Sequence, residues 1–257
     1  MNDTGVIDQF LSVFSTYIDS GFGLVGGEVG FLSSTLIAID VTLAALFWAW
    51  GADEDILQRL IKKTLYIGVF AYIIGNFSAL SSILLDSFAG LGLKASGGAL
   101  ALGDFMRPGM IAATGLYAGA PLLDATENLM GPVGFFSNFA QIAILLVAWV
   151  IVVLAFFILA VQIFVTILEF KLVTLAGFVL LPFAFFSRTA FMAERVLGHV
   201  VSSGIKLLVL AVITGIGTTL FHHFLEAGIG AEPDIEQAMA IALAALTLLG
   251  LGIFGPG

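Results

Sequence analysis

Apolar runs of about twenty residues, the length a helix needs to cross a hydrocarbon core of about 30 Å, recur along this chain at roughly 32–50, 64–85, 139–168, 200–221 and 238–254. They do not alternate between apolar and polar positions as barrel strands do. Lipid admits only helices or closed barrels, because a backbone group finds no water there. With 60% hydrophobic and only 11% charged residues, the chain has too little polar surface to cover a soluble bundle. The expected fold class is therefore all-α: a polytopic membrane protein with five transmembrane helices plus a re-entrant or broken helix, six crossings being the alternative.

Acidic residues outnumber basic ones 18 to 9, which argues against a broad cationic surface for nucleic acid. Without cysteine there is no disulfide or thiol chemistry, a state compatible with either compartment. The opening MNDTGVIDQF has no basic region and no small-residue cleavage pattern, so retention of the N-terminus is expected. Four segments are expected: 1–30, a periplasmic amphipathic helix leading into a Gly-rich hinge; 31–85, a first transmembrane hairpin; 86–138, a periplasmic Gly/Pro-rich stretch of short helices; and 139–257, a C-terminal transmembrane bundle.

Orientation is read from basic residues. Arg59, Lys62 and Lys63 cluster beside the second run, and the positive-inside rule places them in the cytoplasm. The segment 172–187 then decides the count. If it crosses fully, Arg188 and Arg195 lie outside and the bias vanishes, with four Lys/Arg on each side. If it dips and returns, kinked at Gly177 and Pro182, then Lys171, Arg188 and Arg195 join the cytoplasmic set and the balance is six to two, which the rule favours. Glu169 and Lys171 lie at the cytoplasmic edge in both cases. Two residues apart, they do not face each other, so Glu169 is expected to meet Arg188 or Arg195.

Polar residues within the runs are few. Asp40 is an intramembrane carboxylate, expected to face protein and bind a neighbouring helix. Gln162 and Glu169, seven apart, share one helix face. Asp104, near Arg107 and Pro108, is placed to cap a helix start at an outer lip. TGIGTT at 214–219 presents small residues for close helix contact. His222 and His223, adjacent and about 100° apart on a helix, are a poor metal pair. There is no nucleotide loop and no HExxH; no enzyme activity, cofactor or metal is expected. A stand-alone secondary transporter, using Asp40 and a broken 172–187 helix, is the alternative to a scaffold or conduit.

DFMRPGMIAATG at 104–115, the long run reaching Gln162 and Glu169, and LLPFAFFSRTAFMAERVLGHVVSSGIKLLVL at 180–210 together resemble the TrbL family, polytopic inner-membrane proteins of conjugative type IV secretion systems. The resemblance implies an inner-membrane channel or platform that supports DNA and protein transfer and pilus-base assembly. It also implies a ring-shaped homo-oligomer, with the minor pilin, the pilin and the inner-membrane ATPase complex as partners. It implies no catalytic residue. A periplasmic N-terminus and cytoplasmic C-terminus are expected of such proteins, which are commonly longer than this chain at the C-terminal end. Glu169, Pro182, Phe183, Thr189 and Phe191 match the family's central Pro-Phe and following Thr-Phe element, implying a packed hinge with Thr189 capping the helix that follows. Translocated single-stranded DNA would make only transient contact with a small-polar lumen, lined from 139–168 or 86–138, because dense cationic contacts would make transport sticky.

Overall fold

In the computed structural model, residues 5–50, 56–130, 134–226 and 235–256 are described, and among them there is no strand. The helices are α1 (Gly5–Trp50), α2 (Ile56–Gly75), α3 (Phe77–Ala95), α4 (Leu102–Phe105), α5 (Pro108–Leu129), α6 (Gly134–Ser137), α7 (Phe139–Leu180), α8 (Ala190–Glu226) and α9 (Ile235–Phe254), with a 3-10 turn at Leu181–Phe185 between α7 and α8. Among the described residues, α1, α7, α8 and α9 are long and apolar enough to cross a membrane, and the bent pair α2 and α3 makes a fifth span if counted as one. The protein is an all-α polytopic membrane protein.

The glycines at GFGLVGGEVG do not form a hinge. Helix α1 runs through them unbroken for 46 residues, about 69 Å. Each glycine costs about 1 kcal/mol relative to alanine in a water-exposed helix, but in apolar surroundings a broken helix leaves backbone groups without any partner, which costs more. The residues before position 5 lie outside the described part.

The second run is broken instead. Helices α2 and α3 meet at 74° around Asn76. The Tyr72 carbonyl accepts from both the Asn76 N–H, at 3.1 Å, and the Asn76 side-chain amide, at 2.9 Å, so the last turn of α2 is held by two donors where the chain bends. The bend delivers Phe77 to Phe178 of α7, near-parallel with ring centroids 6.1 Å apart. Helix α3 then ends as its sequence suggests: Gly97 and Gly98 both take positive φ, and the Gly98 N–H returns to the Leu93 carbonyl, a left-handed stop that costs glycine nothing.

The expected dip at 172–187 is absent. Helix α7 continues through Glu169, Lys171 and Gly177 to Leu180, about 63 Å in all. It stops there because Pro182 cannot donate to a further helical turn; the proline sits instead in the 3-10 turn, buried. Gly177 is not a kink. A Cβ there would strike Val196 of α8, so the glycine serves close approach of the two helices.

The chain divides into two compact units. The first holds Met1–Ser12, Asp86–Ile167 and Ile205–Gly257. Its core lies along α7, where Ile142, Leu145, Val152, Phe156, Leu159 and Ile163 are buried, and Phe156 meets Phe221 of α8 edge-on at 5.1 Å. Small residues set its helix spacing: a Cβ on Gly115 would overlap Phe156, one on Gly217 would lie 2.6 Å from Leu248, and one on Gly92 would overlap the Leu208 carbonyl oxygen. This is how helices associate where the solvent is as apolar as the side chains. The second unit holds Val13–Leu85 and Leu168–Gly204. There α1 lies against α7 through Phe22 and Phe178, centroids 5.3 Å apart, and α2 lies against the 3-10 turn through Phe70 and Phe185.

Candidate functional site

The second unit holds six of the nine basic residues and the ion pairs of Asp40 and Asp19. Asp40, 8% exposed, comes from the far half of α1, and Lys63 of α2 places its ammonium 2.6 Å from the carboxylate. The same nitrogen donates to the Asp40 backbone carbonyl at 3.2 Å. An intramembrane-type carboxylate is thus neutralised from the next helix, as its burial requires. Next to this pair, the Tyr66 hydroxyl donates to the Ala184 carbonyl at 3.2 Å and ties α2 to the turn after α7.

Lys171 meets Asp19 of α1, its ammonium 2.8 Å from both carboxylate oxygens. It therefore belongs to a second α1 ion pair. Glu169 and Gln162 on α7 are each half-buried. Arg188 is exposed in the turn, and Arg195 is exposed with its guanidinium 5.5 Å from the centre of the Phe191 ring. Arg59 and Lys62 are exposed on the first two turns of α2. The six basic residues of the cytoplasmic count, Arg59, Lys62, Lys63, Lys171, Arg188 and Arg195, all fall within this unit.

Thr189 works differently from a cap. An N-cap oxygen accepts from the N–H groups of the helix it opens, whereas the Thr189 hydroxyl donates backward, to the Phe183 carbonyl at 3.0 Å and the Phe186 carbonyl at 3.1 Å. It closes the loop that Pro182 opened. Phe183 thus contributes its carbonyl, and Pro182, Phe183 and Thr189 form one turn.

The first unit has its polar groups at the start of α5. Pro108 takes the first helical position, where its missing N–H is no loss, and Arg107 precedes it without a side-chain cap. Asp104, expected to cap here, does not. The cap comes from Asp8 of α1, whose carboxylate accepts from the Gly109 N–H at 2.6 Å and lies 3.6 Å from the Arg107 guanidinium. No local pattern announces a cap supplied from 101 residues away. Replacing Asp8 by alanine is expected to raise amide hydrogen exchange at Gly109 about tenfold, the equivalent of about 1 kcal/mol for a lost cap; unchanged exchange refutes the capping role.

Asp104 instead lines a cavity of about 410 Å³, together with Thr218, Thr219, His222 and His223 from the far end of α8. Sequence spacing set Asp104 and the two histidines apart as unrelated features. No group of three or more His, Cys, Asp or Glu side chains able to hold a metal occurs among the described residues.

The exposed stripe of α7 within this unit, Val147, Val150, Leu154, Phe157, Val161 and Val165, is wholly apolar.

The family model described as TrbL/VirB6 plasmid conjugal transfer protein matches residues 37–255. The chain belongs to the TrbL/VirB6 family. A search among curated proteins returns no match. The family match takes in the Pro182–Thr189 turn, both partners of the Asp40 and Lys63 pair, and the cavity of Asp104; Asp8 and Asp19 precede it. As a TrbL/VirB6 protein this chain is a multi-pass membrane component of conjugal transfer and type IV secretion.

Proposed function

We propose that this TrbL/VirB6 protein is an inner-membrane channel or platform subunit of a conjugative type IV secretion system, acting as a ring of identical copies at the base of the pilus. The family match over 37–255 carries the reading. In it, the N-terminus is periplasmic, and the unit holding six of the nine basic residues faces the cytoplasm, as the positive-inside rule favours. The minor pilin, the pilin and the inner-membrane ATPase complex are its partners, and single-stranded DNA passes with transient contacts only. The protein performs no catalysis.

The pairing of Asp40 weighs against a stand-alone transporter. Such a protein needs a polar group free to exchange its partner near the membrane midplane, and Asp40 is held by Lys63 at 2.6 Å. The test is deletion of the gene in a conjugative host with complementation from a plasmid. Transfer is expected to fall by about a thousandfold or more and to return with the intact chain, and the tagged protein is expected to elute as one multimer together with pilus-base proteins. Normal transfer in the deletion, or a monomer that moves solute by itself in liposomes, would overturn the proposal.

A further inference from the structure

We infer that the cavity between α4, α5 and α8 receives the cationic side chain, lysine or arginine, of a partner polypeptide. The inference does not depend on the secretion reading. Its first support is the hydrogen-bonding character of the wall. Thr114 donates its hydroxyl to the Met110 carbonyl at 2.9 Å, Thr218 to Thr214 at 2.8 Å and Thr219 to Gly215 at 2.9 Å. Each hydroxyl hydrogen is spent on its own helix, and the oxygen lone pairs remain as acceptors. Asp104 adds a carboxylate that meets no side chain among the described residues, and His222 adds an imidazole with one acceptor nitrogen when neutral. His222 brings one N–H as well, but acceptors outnumber donors on this wall, and a carboxylate among them calls for a positively charged donor.

The second support is shape. Leu100, Met110 and Ile111 form the apolar part of the same wall, a surface for the aliphatic stem of a lysine or arginine whose charged head reaches Asp104. The volume, about 410 Å³, falls within the range of pockets that bind small groups. The third is charge. The unit contains ten of the 18 acidic residues and only Lys94, Arg107 and Lys206 among the basic ones, and neither lysine nor arginine lines the cavity. An ethanolamine lipid headgroup also offers an ammonium, but it brings a phosphate with it. That phosphate would stand beside Asp104 without a cation to meet it, so the basic side chain of a polypeptide is the better occupant.

The experiment uses the full chain in nanodiscs, with histidine labelled in the ring and its signals followed by NMR. The probes are acetyl-lysine amide, acetyl-arginine amide and, as the uncharged isostere of lysine, acetyl-norleucine amide. The lysine and arginine amides are expected to shift the His222 signal saturably, with dissociation constants on the order of 1 mM, and the norleucine amide to leave it in place. Asp104→Asn, which preserves shape, should weaken the effect at least tenfold, and Thr218→Val about threefold. Equal responses to norleucine and lysine, or an Asp104→Asn protein that binds as the parent does, overturn the inference. So does a signal that moves only when phosphatidylethanolamine is added to the disc while the amides are silent, which would assign the cavity to lipid.

Discussion

Replacing Asp40 by alanine is expected to destabilise the protein by about 3 kcal/mol, a shift of about a hundredfold in the folded ratio. The cause is the charge left behind. Lys63 keeps its ammonium in a position where its side chain is 21% exposed and the carboxylate that faced it was 11% exposed, and a desolvated cation without a partner costs more than the pair contributed. Lys63→Met should cost a similar amount, because it strands Asp40 instead. The double replacement Asp40→Leu with Lys63→Met removes both charges and should recover most of the loss, so the two single effects will not add. Reversible unfolding in detergent measures all three, with mating efficiency as the cellular readout. Additive losses would show that the two residues act separately, and a harmless Asp40→Ala would show that the pair holds nothing together.

The second large effect is expected at Gly92. Helix α3 approaches α8 so closely there that a Cβ would overlap the Leu208 carbonyl oxygen and lie 2.7 Å from the Ala211 methyl. A backbone oxygen cannot rotate aside as a side chain can, so Gly92→Leu must part the helices. A cost of about 3 kcal/mol is expected, at the upper end for overpacking, and Gly92→Ala should cost less. Gly90 on the same helix has open space at its Cβ, and Gly90→Leu should be neutral or gain up to about 1 kcal/mol from helix propensity. Thermal stability of the three variants in detergent distinguishes them. Equal behaviour at positions 90 and 92 would mean that the close approach is not maintained.

Much of the fold is legible in the residues. The apolar runs at 139–168, 200–221 and 238–254 became α7, α8 and α9, since run length alone answers to membrane thickness. The glycines at 97 and 98 ended α3, and Gly215 and Gly217 took contact positions, because a missing Cβ has the same local meaning in any context. The charges misled where the argument needed a partner. Lys171, for which the residues offered no partner, meets Asp19 of α1, and Asp40 is met by Lys63 of α2. A break was expected at 172–187, where proline and glycine stood: Pro182 does end α7, but Gly177 lies inside the unbroken helix, and the 74° bend at Asn76 was not expected.

The sequence by itself determined the membrane class, the helical fold, the family and the grouping of basic residues that sets a preferred orientation. These depend on composition, run length and local order, which survive any arrangement of the helices. Only the tertiary structure decided that Asp40 is closed by Lys63, that α5 is capped by Asp8, and that Asp104 shares a cavity with two histidines more than a hundred residues away. Each of these depends on which faces of two distant helices meet. That is set by the fit of small against large side chains along whole helices, and no local pattern encodes it.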